Sequence, residues 1–170
     1  MISAVLSGGV ISSSSSGAFS LFEKSRFGEK SRSKIVYSWC EALFLVQSNK
    51  MVVVRNSKEL SFDQLLRVAK RADKRVHIKF PVFSKLRKKG FILKTALKFG
   101  ADFRVYDRGV RPGEDHARWL LFPVSESEAQ SWYEFAAKNR VAHAAHKNLL
   151  IGVLDDEGDV TFFEVAWKKV

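Results

Sequence analysis

The run Trp119-Leu120-Leu121-Phe122 is continuous, apolar and flanked by turn-rich segments. Such a run reads as a buried strand, and Pro123 is expected to stop it. Comparable runs surround it. Phe91-Ile92-Leu93, Phe103-Arg104-Val105-Tyr106, Leu149 to Leu154 and Val160 to Trp167 all read as strands. Lys98-Phe99-Gly100 forms a turn between the first two, and Asp155-Asp156-Glu157-Gly158-Asp159 joins the last two as a hairpin. Ser125-x-x-Glu128 has capping-box spacing and opens a helix. Trp132, Phe135, Ala136 and Val141 supply its inward face. The second half therefore predicts a mixed sheet crossed by one long helix.

The first half is read in the same way. Met1 to Leu6 is a first strand, not a signal peptide: no basic segment precedes it, and Gly8-Gly9 breaks the apolar run. Ser12 to Ser16 reads as a flexible loop, and the residues after it as the start of a short helix. Lys24 to Lys34, basic and rich in Ser and Gly, reads as another loop. Trp39 to Val54 predicts a helix, a turn at Gln47-Ser48-Asn49-Lys50, and a strand ending at Met51–Val54. Phe62, Leu65, Leu66 and Ala69 recur at helical spacing behind Ser61, which can cap the free N–H groups. A second, basic helix is expected over Pro81 to Lys89, with proline in its first turn and Gly90 beyond its end. A linker near Lys70–Val76 then divides the chain. The expected class is α+β, with a small α/β domain over 1–75 and a second domain over 76–170.

Hydrophobic residues make up 46% of the chain, with 14 Phe and 4 Trp, which excludes disorder of the whole. Lys and Arg number 29 against 18 Asp and Glu, a net charge of +11. A folded chain this basic points to a polyanion, nucleic acid above all, because its cations displace counterions from phosphates. A solvated basic surface without a partner is the alternative. Cys40 is the single cysteine, in an apolar stretch, so no internal disulfide forms and a buried inert thiol is expected. No zinc-finger spacing occurs and no apolar stretch is long enough to span a membrane, so a reducing, cytoplasmic setting is expected.

The densest polar segment beside strong strands runs from Tyr106 through Gly109 and Pro112-Gly113 to His116. Turn glycines let the chain fold back and bring Tyr106 toward His116. Histidine exchanges protons near neutral pH. A phenol does so only where positive charge favours phenolate, and Arg104, Arg108 and Lys147 offer it. Lys147 follows the long helix. Such a trio can cut RNA without metal. One group takes the 2′-OH proton, one protonates the departing 5′-oxygen, and a cation stabilises the charge on the phosphorane-like transition state. DNA lacks that hydroxyl. On spacing alone the alternatives stay open: His116 as a surface or packing histidine, Tyr106 as a strand end, Lys147 as one lysine among many.

Phe91 to Gly109, with Lys98-Phe99-Gly100-Ala101-Asp102-Phe103-Arg104-Val105-Tyr106 at its centre, resembles the signature of the tRNA-intron endonuclease family. In that family a "GxKFGxDFxxY" run ends on a catalytic tyrosine. Pro112-Gly113-x-x-His116 resembles the segment carrying its catalytic histidine. Arg140 to Lys147 resembles its "RxAxxxxK" segment, which ends on the catalytic lysine. The separations are family-like, ten residues from Tyr106 to His116 and 31 from there to Lys147. The strong likeness covers Phe91 to Val170, and Glu41 to Val46 extends it weakly toward the start. Three departures are His146, Phe83 and Ala96, where the family often has a basic residue, Tyr and Gly.

The resemblance implies an archaeal-type tRNA-splicing endonuclease subunit with Tyr106 as general base, His116 as general acid and Lys147 as the transition-state cation. The implied substrate is precursor tRNA with a bulge-helix-bulge, and the implied ends are a 2′,3′-cyclic phosphate and a 5′-hydroxyl. It implies RNA contacts from Arg140 and Trp167. It also implies docking of the acidic turn, Asp155, Asp156, Glu157 and Asp159, into a partner subunit. Excision takes two cuts, so the partner is a second subunit in an α₂β₂ heterotetramer or the chain itself in a homotetramer, with the last apolar strand as a dimer surface. His143 and His146 read as solvent-facing or packing residues. No cofactor and no metal is expected. A noncatalytic, RNA-positioning subunit of the same assembly is the alternative.

Overall fold

The computed structural model describes residues 1–170. They divide into two units, Met1–Phe80 and Pro81–Val170, each built on its own sheet. The class is α+β, with five α-helices and two mixed sheets.

The first unit contains β1 (Ile2–Ser7), β2 (Val10–Ser13), α1 (Ser16–Ser25), β3 (Glu29–Ser31), β4 (Lys34–Tyr37), α2 (Trp39–Gln47), β5 (Met51–Arg55), β6 (Lys58–Leu60) and α3 (Phe62–Ala72). Its strands are ordered β3-β4-β2-β1-β5-β6. Strand β1 alternates inward Ile2, Ala4 and Leu6 with outward Ser3, Val5 and Ser7, the period of a half-buried strand. Gly8 and Gly9, both at positive φ, turn it into β2. Parallel pairing of β1 with β5 places α1 and α2 in the crossover.

Two loop expectations fail here. The serine run is ordered. Ser12 and Ser13 belong to β2, the buried Ser13 hydroxyl donates to the Ser3 carbonyl at 2.6 Å, and Ser15 caps α1 through the Ala18 N–H. Five identical residues have no periodicity to read, yet they divide between a strand, a helix cap and a helix. The Lys24–Lys34 stretch holds the end of α1 and the β3–β4 hairpin. All of β3 is exposed, so no apolar pattern could betray it; backbone pairing alone makes it a strand.

Helix α4 (Val76–Lys88) begins before Pro81, which lies inside it and not in its first turn. Asp73 sets the earlier start. Its carbonyl accepts the Val76 N–H, its carboxylate accepts the Arg75 N–H at 2.9 Å, and its second oxygen meets Lys79 at 2.8 Å. Its effect is to reduce the expected linker to the short break between α3 and α4.

The second unit contains the rest of α4, β7 (Ile92–Ala96), a 3₁₀ turn at Leu97–Phe99, β8 (Ala101–Tyr106), β9 (Trp119–Ser125), α5 (Trp132–Ala144), β10 (Asn148–Leu154) and β11 (Val160–Val165). The order is β11-β10-β9-β8-β7, with β9 and β10 parallel and α5 as their crossover. Leu120, Phe122, Leu149 and Ala142 form a core on the α5 face, with Phe135 and Ala145 packed against it. On the opposite face Phe83 meets Phe103 at 5.5 Å, and a Cβ on Gly152 would lie 2.5 Å from Val82.

Three details differ from expectation. Pro123 lies within β9, not after it. Pairing of β9 with β8 ends at Phe103↔Leu121, so its missing N–H falls where that ladder has stopped. The capping box is Ser131–Glu134, because Ser125 is still paired in the sheet opposite Leu154. Trp132 is 83% exposed instead of inward, and its edge meets Phe135. An alanine-rich helix leaves little periodicity to fix its buried face.

Candidate active site

Strand alternation puts Arg104 and Tyr106 on the same face of β8, with Phe103 and Val105 on the other. Tyr106 is 5% exposed. The Arg104 guanidinium carbon lies 5.9 Å from the centre of its ring.

The loop that follows is folded back and clasped at its base. The Arg118 N–H donates to the Val105 carbonyl at 2.9 Å, and the Arg118 side chain pairs with Asp107 at 2.9 Å. That bond, against a small desolvation penalty and helped by the Arg108 N–H, holds the Asp107 carboxyl below its usual range. Gly109 and Gly113, at φ 81° and 91°, take the bends. Asp115 accepts the His116 N–H at 2.7 Å, which fixes the backbone that carries the imidazole. His116 is exposed.

Lys147 is placed by the end of α5. The Lys147 N–H donates to the Ala142 carbonyl at 2.9 Å and the His146 N–H to the His143 carbonyl at 3.0 Å. This is the Schellman arrangement, with His146 at the left-handed position, φ 54°. It reverses the chain into β10, and the Lys147 ammonium donates back to the Ala145 carbonyl at 3.3 Å. Burial, then the nearby charges of Arg104 and Lys98, lower the Lys147 pKa from its ordinary value.

Tyr106, His116 and Lys147 line one pocket of about 380 Å³, together with Lys98, Phe99, Arg104 and the rim Gly113–Ala117. A phenol, an imidazole and an ammonium therefore open onto a common volume large enough for part of a nucleotide chain. Such a set can take a proton, give one and stabilise an anion. No cluster of three or more His, Cys, Asp or Glu is placed to hold a metal.

The other expected site residues lie elsewhere. Arg140 is exposed on α5, and Trp167 lies beyond β11, where its ring packs 4.0 Å from that of His143. Neither lines the pocket. The acidic turn divides by role. Asp155 is turned inward, accepting the N–H groups of Glu157 and Asp159 at 3.0 and 2.8 Å. Asp156, Glu157 and Asp159 are exposed. Glu126 steadies the turn by accepting the Asp156 N–H at 2.9 Å.

Residues 2–66 match the model of the tRNA intron endonuclease N-terminal domain, and residues 76–162 that of its catalytic C-terminal domain. The chain belongs to the tRNA-intron endonuclease family. Its relatives agree. It is 44% identical to a tRNA-splicing endonuclease of Nanoarchaeum equitans over 135 residues, 76% of this chain and 86% of that one. The identity is 38% to the tRNA-splicing endonuclease of Thermococcus onnurineus, over 88% of this chain and 85% of that one. It is 35% to that of Thermococcus kodakarensis, over 99% of both. As a member of this endonuclease family the chain is an enzyme, and the pocket lies within the segment that matches the catalytic domain. No helix is long and apolar enough to cross a membrane.

Nothing in the sequence pattern marks Lys98 and Phe99 as pocket residues, and Arg104 reads there only as a neighbouring cation. The signal for Arg104 was present: two residues before Tyr106 on a strand is the same face.

Proposed function

We propose that this pocket cuts precursor tRNA at its intron–exon junctions, within a bulge-helix-bulge, by metal-independent acid–base chemistry. Tyr106 takes the proton from the 2′-OH next to the scissile phosphate. The resulting oxygen attacks phosphorus, and His116 protonates the leaving 5′-oxygen. Lys147 stabilises the phosphorane-like transition state, where its partial burial strengthens the interaction. The products are a 2′,3′-cyclic phosphate and a 5′-hydroxyl. A bulge suits the pocket because unstacked nucleotides present their backbone to a concave site.

The observation that carries this reading is the convergence of all three groups on one pocket. The same convergence speaks for a catalytic subunit over a purely structural one. One chain holds one such trio, and excision takes two cuts, so a second copy or a second subunit completes the enzyme. Asp156, Glu157 and Asp159 are the carboxylates free to dock into it, while Asp155 shapes the turn that presents them. Arg140, an exposed cation on α5, is the residue for holding a bulge base, and Trp167 the accompanying aromatic.

The test is cleavage of bulge-helix-bulge RNA in EDTA, by the protein alone and with a cognate partner. Cutting that leaves a cyclic phosphate is expected, and a 2′-deoxy residue at one junction should abolish that cut alone. His116→Ala should slow the single-turnover rate at least ~10²-fold with RNA binding retained. A strict magnesium requirement, or a His116→Ala variant that cuts normally, overturns the reading.

A further inference from the structure

The proposed chemistry uses one cation, yet the pocket holds three. Arg104, Lys98 and Lys147 all line it. The Lys98 and Lys147 ammonium groups lie 5.0 and 5.8 Å from the centre of the same Phe99 ring, and the Arg104 guanidinium lies beside Tyr106.

None of the three is neutralised by an ion pair within the chain. Of the two carboxylates on the rim, Glu114 faces Arg111 at 4.0 Å and Asp115 accepts the His116 N–H, and neither forms an ion pair with Arg104, Lys98 or Lys147. Lys94 and Asp102 share the Arg104 face of the sheet, but neither lines the pocket. Arg104 also has an unmet polar atom. Its Nε is buried and has no hydrogen-bond partner. A buried guanidinium N–H costs free energy until an acceptor arrives. Like charges packed this closely repel, and after burial this repulsion is the second cause that lowers the Lys147 pKa.

A single phosphodiester carries one negative charge and cannot offset all three cations. An RNA strand presents a further phosphate on each side of the one that reacts. We propose that Arg104 and Lys98 form a second anion subsite of this pocket, which takes the phosphodiester adjacent to the scissile one. This rests on the reading of the pocket as an RNA-cleaving site. The guanidinium fork suits two phosphate oxygens at once, and the Lys98 ammonium adds a mobile point charge at the mouth. Anchoring the neighbouring phosphate orients the backbone, so that the 2′-OH meets Tyr106 while the leaving oxygen faces His116.

The experiment is a double-substitution cycle on binding. The RNA carries 2′-deoxy residues at the junctions, so it binds without being cut. In one version a neutral methylphosphonate replaces the phosphate on the 5′ side of the scissile one, and in another the phosphate on the 3′ side. Arg104→Gln and Lys98→Gln are each expected to weaken binding of the unmodified backbone about 10-fold. For one of the two flanking positions, methylphosphonate should cost wild type a similar factor and cost the variants almost nothing more. That coupling is what a purely structural arginine would not produce. Losses that multiply independently at both positions overturn the subsite, as does a variant that binds like wild type. If Arg104→Gln does not fold, the exposed Lys98 carries the same cycle. Cleavage of unmodified RNA by the wild type is followed in parallel: coupled losses without any cutting keep the subsite and sink the activity.

Discussion

Each unit buries one tyrosine to almost the same degree, Tyr37 at 4% and Tyr106 at 5% exposure. Their surroundings are opposite. Tyr37 ends β4 with no hydrogen-bond partner for its hydroxyl. Burial, reinforced by the Glu41 carboxylate, pushes its pKa up to about 12. Tyr106 ends β8 in a pocket it shares with Arg104, Lys98, Lys147 and His116. Burial alone turns a phenol into core. What distinguishes the second is the cations around it and a cavity in front of it.

The sharpest break of this comparison removes one hydroxyl from each unit. Tyr106→Phe keeps the ring in place and is expected to slow single-turnover cleavage by at least ~10²-fold, with the melting temperature almost unchanged. If Tyr106→Phe cuts as fast as wild type, its pocket position has no chemical meaning and the contrast with Tyr37 collapses.

Glu41 marks the first unit as a region built for stability. It is 5% exposed, and its carboxylate accepts from the Gly28 N–H, the Ser38 N–H and the Ser38 hydroxyl at 2.8 to 3.0 Å. Glu41→Gln keeps one acceptor oxygen and leaves one group unmatched. The expected cost is about 1–3 kcal/mol, seen in thermal or urea unfolding, with the cleavage rate of the folded protein unchanged. Tyr37→Phe acts in the opposite direction and more weakly. It removes a buried, unpaired hydroxyl, so stability should hold or rise by up to about 1 kcal/mol. A clear loss of stability in Tyr37→Phe would mean that the hydroxyl has a partner.

The second unit offers a subtler test through pH. Burial first, then Arg104 and Lys98, lower the Lys147 pKa, so the ammonium is lost at a lower pH than from a free lysine. Followed directly by NMR of its side-chain Cε, Lys147 should accordingly lose its proton below the range of ordinary lysine. Lys98→Gln removes one repelling charge and should move that transition upward. Tyr106, Glu114, Asp115 and His116 also face the pocket, so the transition is read on Lys147 itself and not from the cleavage rate, and wild type and variant are compared under identical conditions. A transition that stays in place, or moves down, shows that Lys98 does not act on Lys147.

Much of the second unit was legible because its signals are local. Apolar runs marked β8, β9 and β10, and glycines marked the bends between Tyr106 and His116. The spacing to Lys147 then had a family to match. What stayed hidden had no side-chain pattern. The exposed β3 is a strand only through its backbone, and Ser12 to Ser16 take three roles with one residue type. The start of α4 depends on Asp73, whose side chain reaches forward to Lys79, a contact no periodicity encodes. The pocket's extra cations needed three dimensions for the same reason: Lys98 and Lys147 are far apart in sequence and meet only at Phe99.

The smallest effect is expected at the clasp below the pocket. The Asp107–Arg118 pair is half exposed on both sides, so water and salt screen it. Asp107→Asn should lower the melting temperature by no more than ~3 °C near neutral pH. The sign of the pH dependence follows from the depressed carboxyl. A carboxylate whose pKa falls on folding stabilises at pH values above its unfolded pKa, and that contribution disappears as pH falls through its folded pKa. The gap between wild type and Asp107→Asn should therefore be constant at neutral pH and close under strongly acid conditions, and added salt should shrink it throughout. Cleavage should fall less than ~10-fold, because the Arg118 N–H still donates to Val105 and keeps the loop folded back. A much larger loss of rate at unchanged stability would move Asp107 from the scaffold into the chemistry, and the pocket would then extend to the base of its loop.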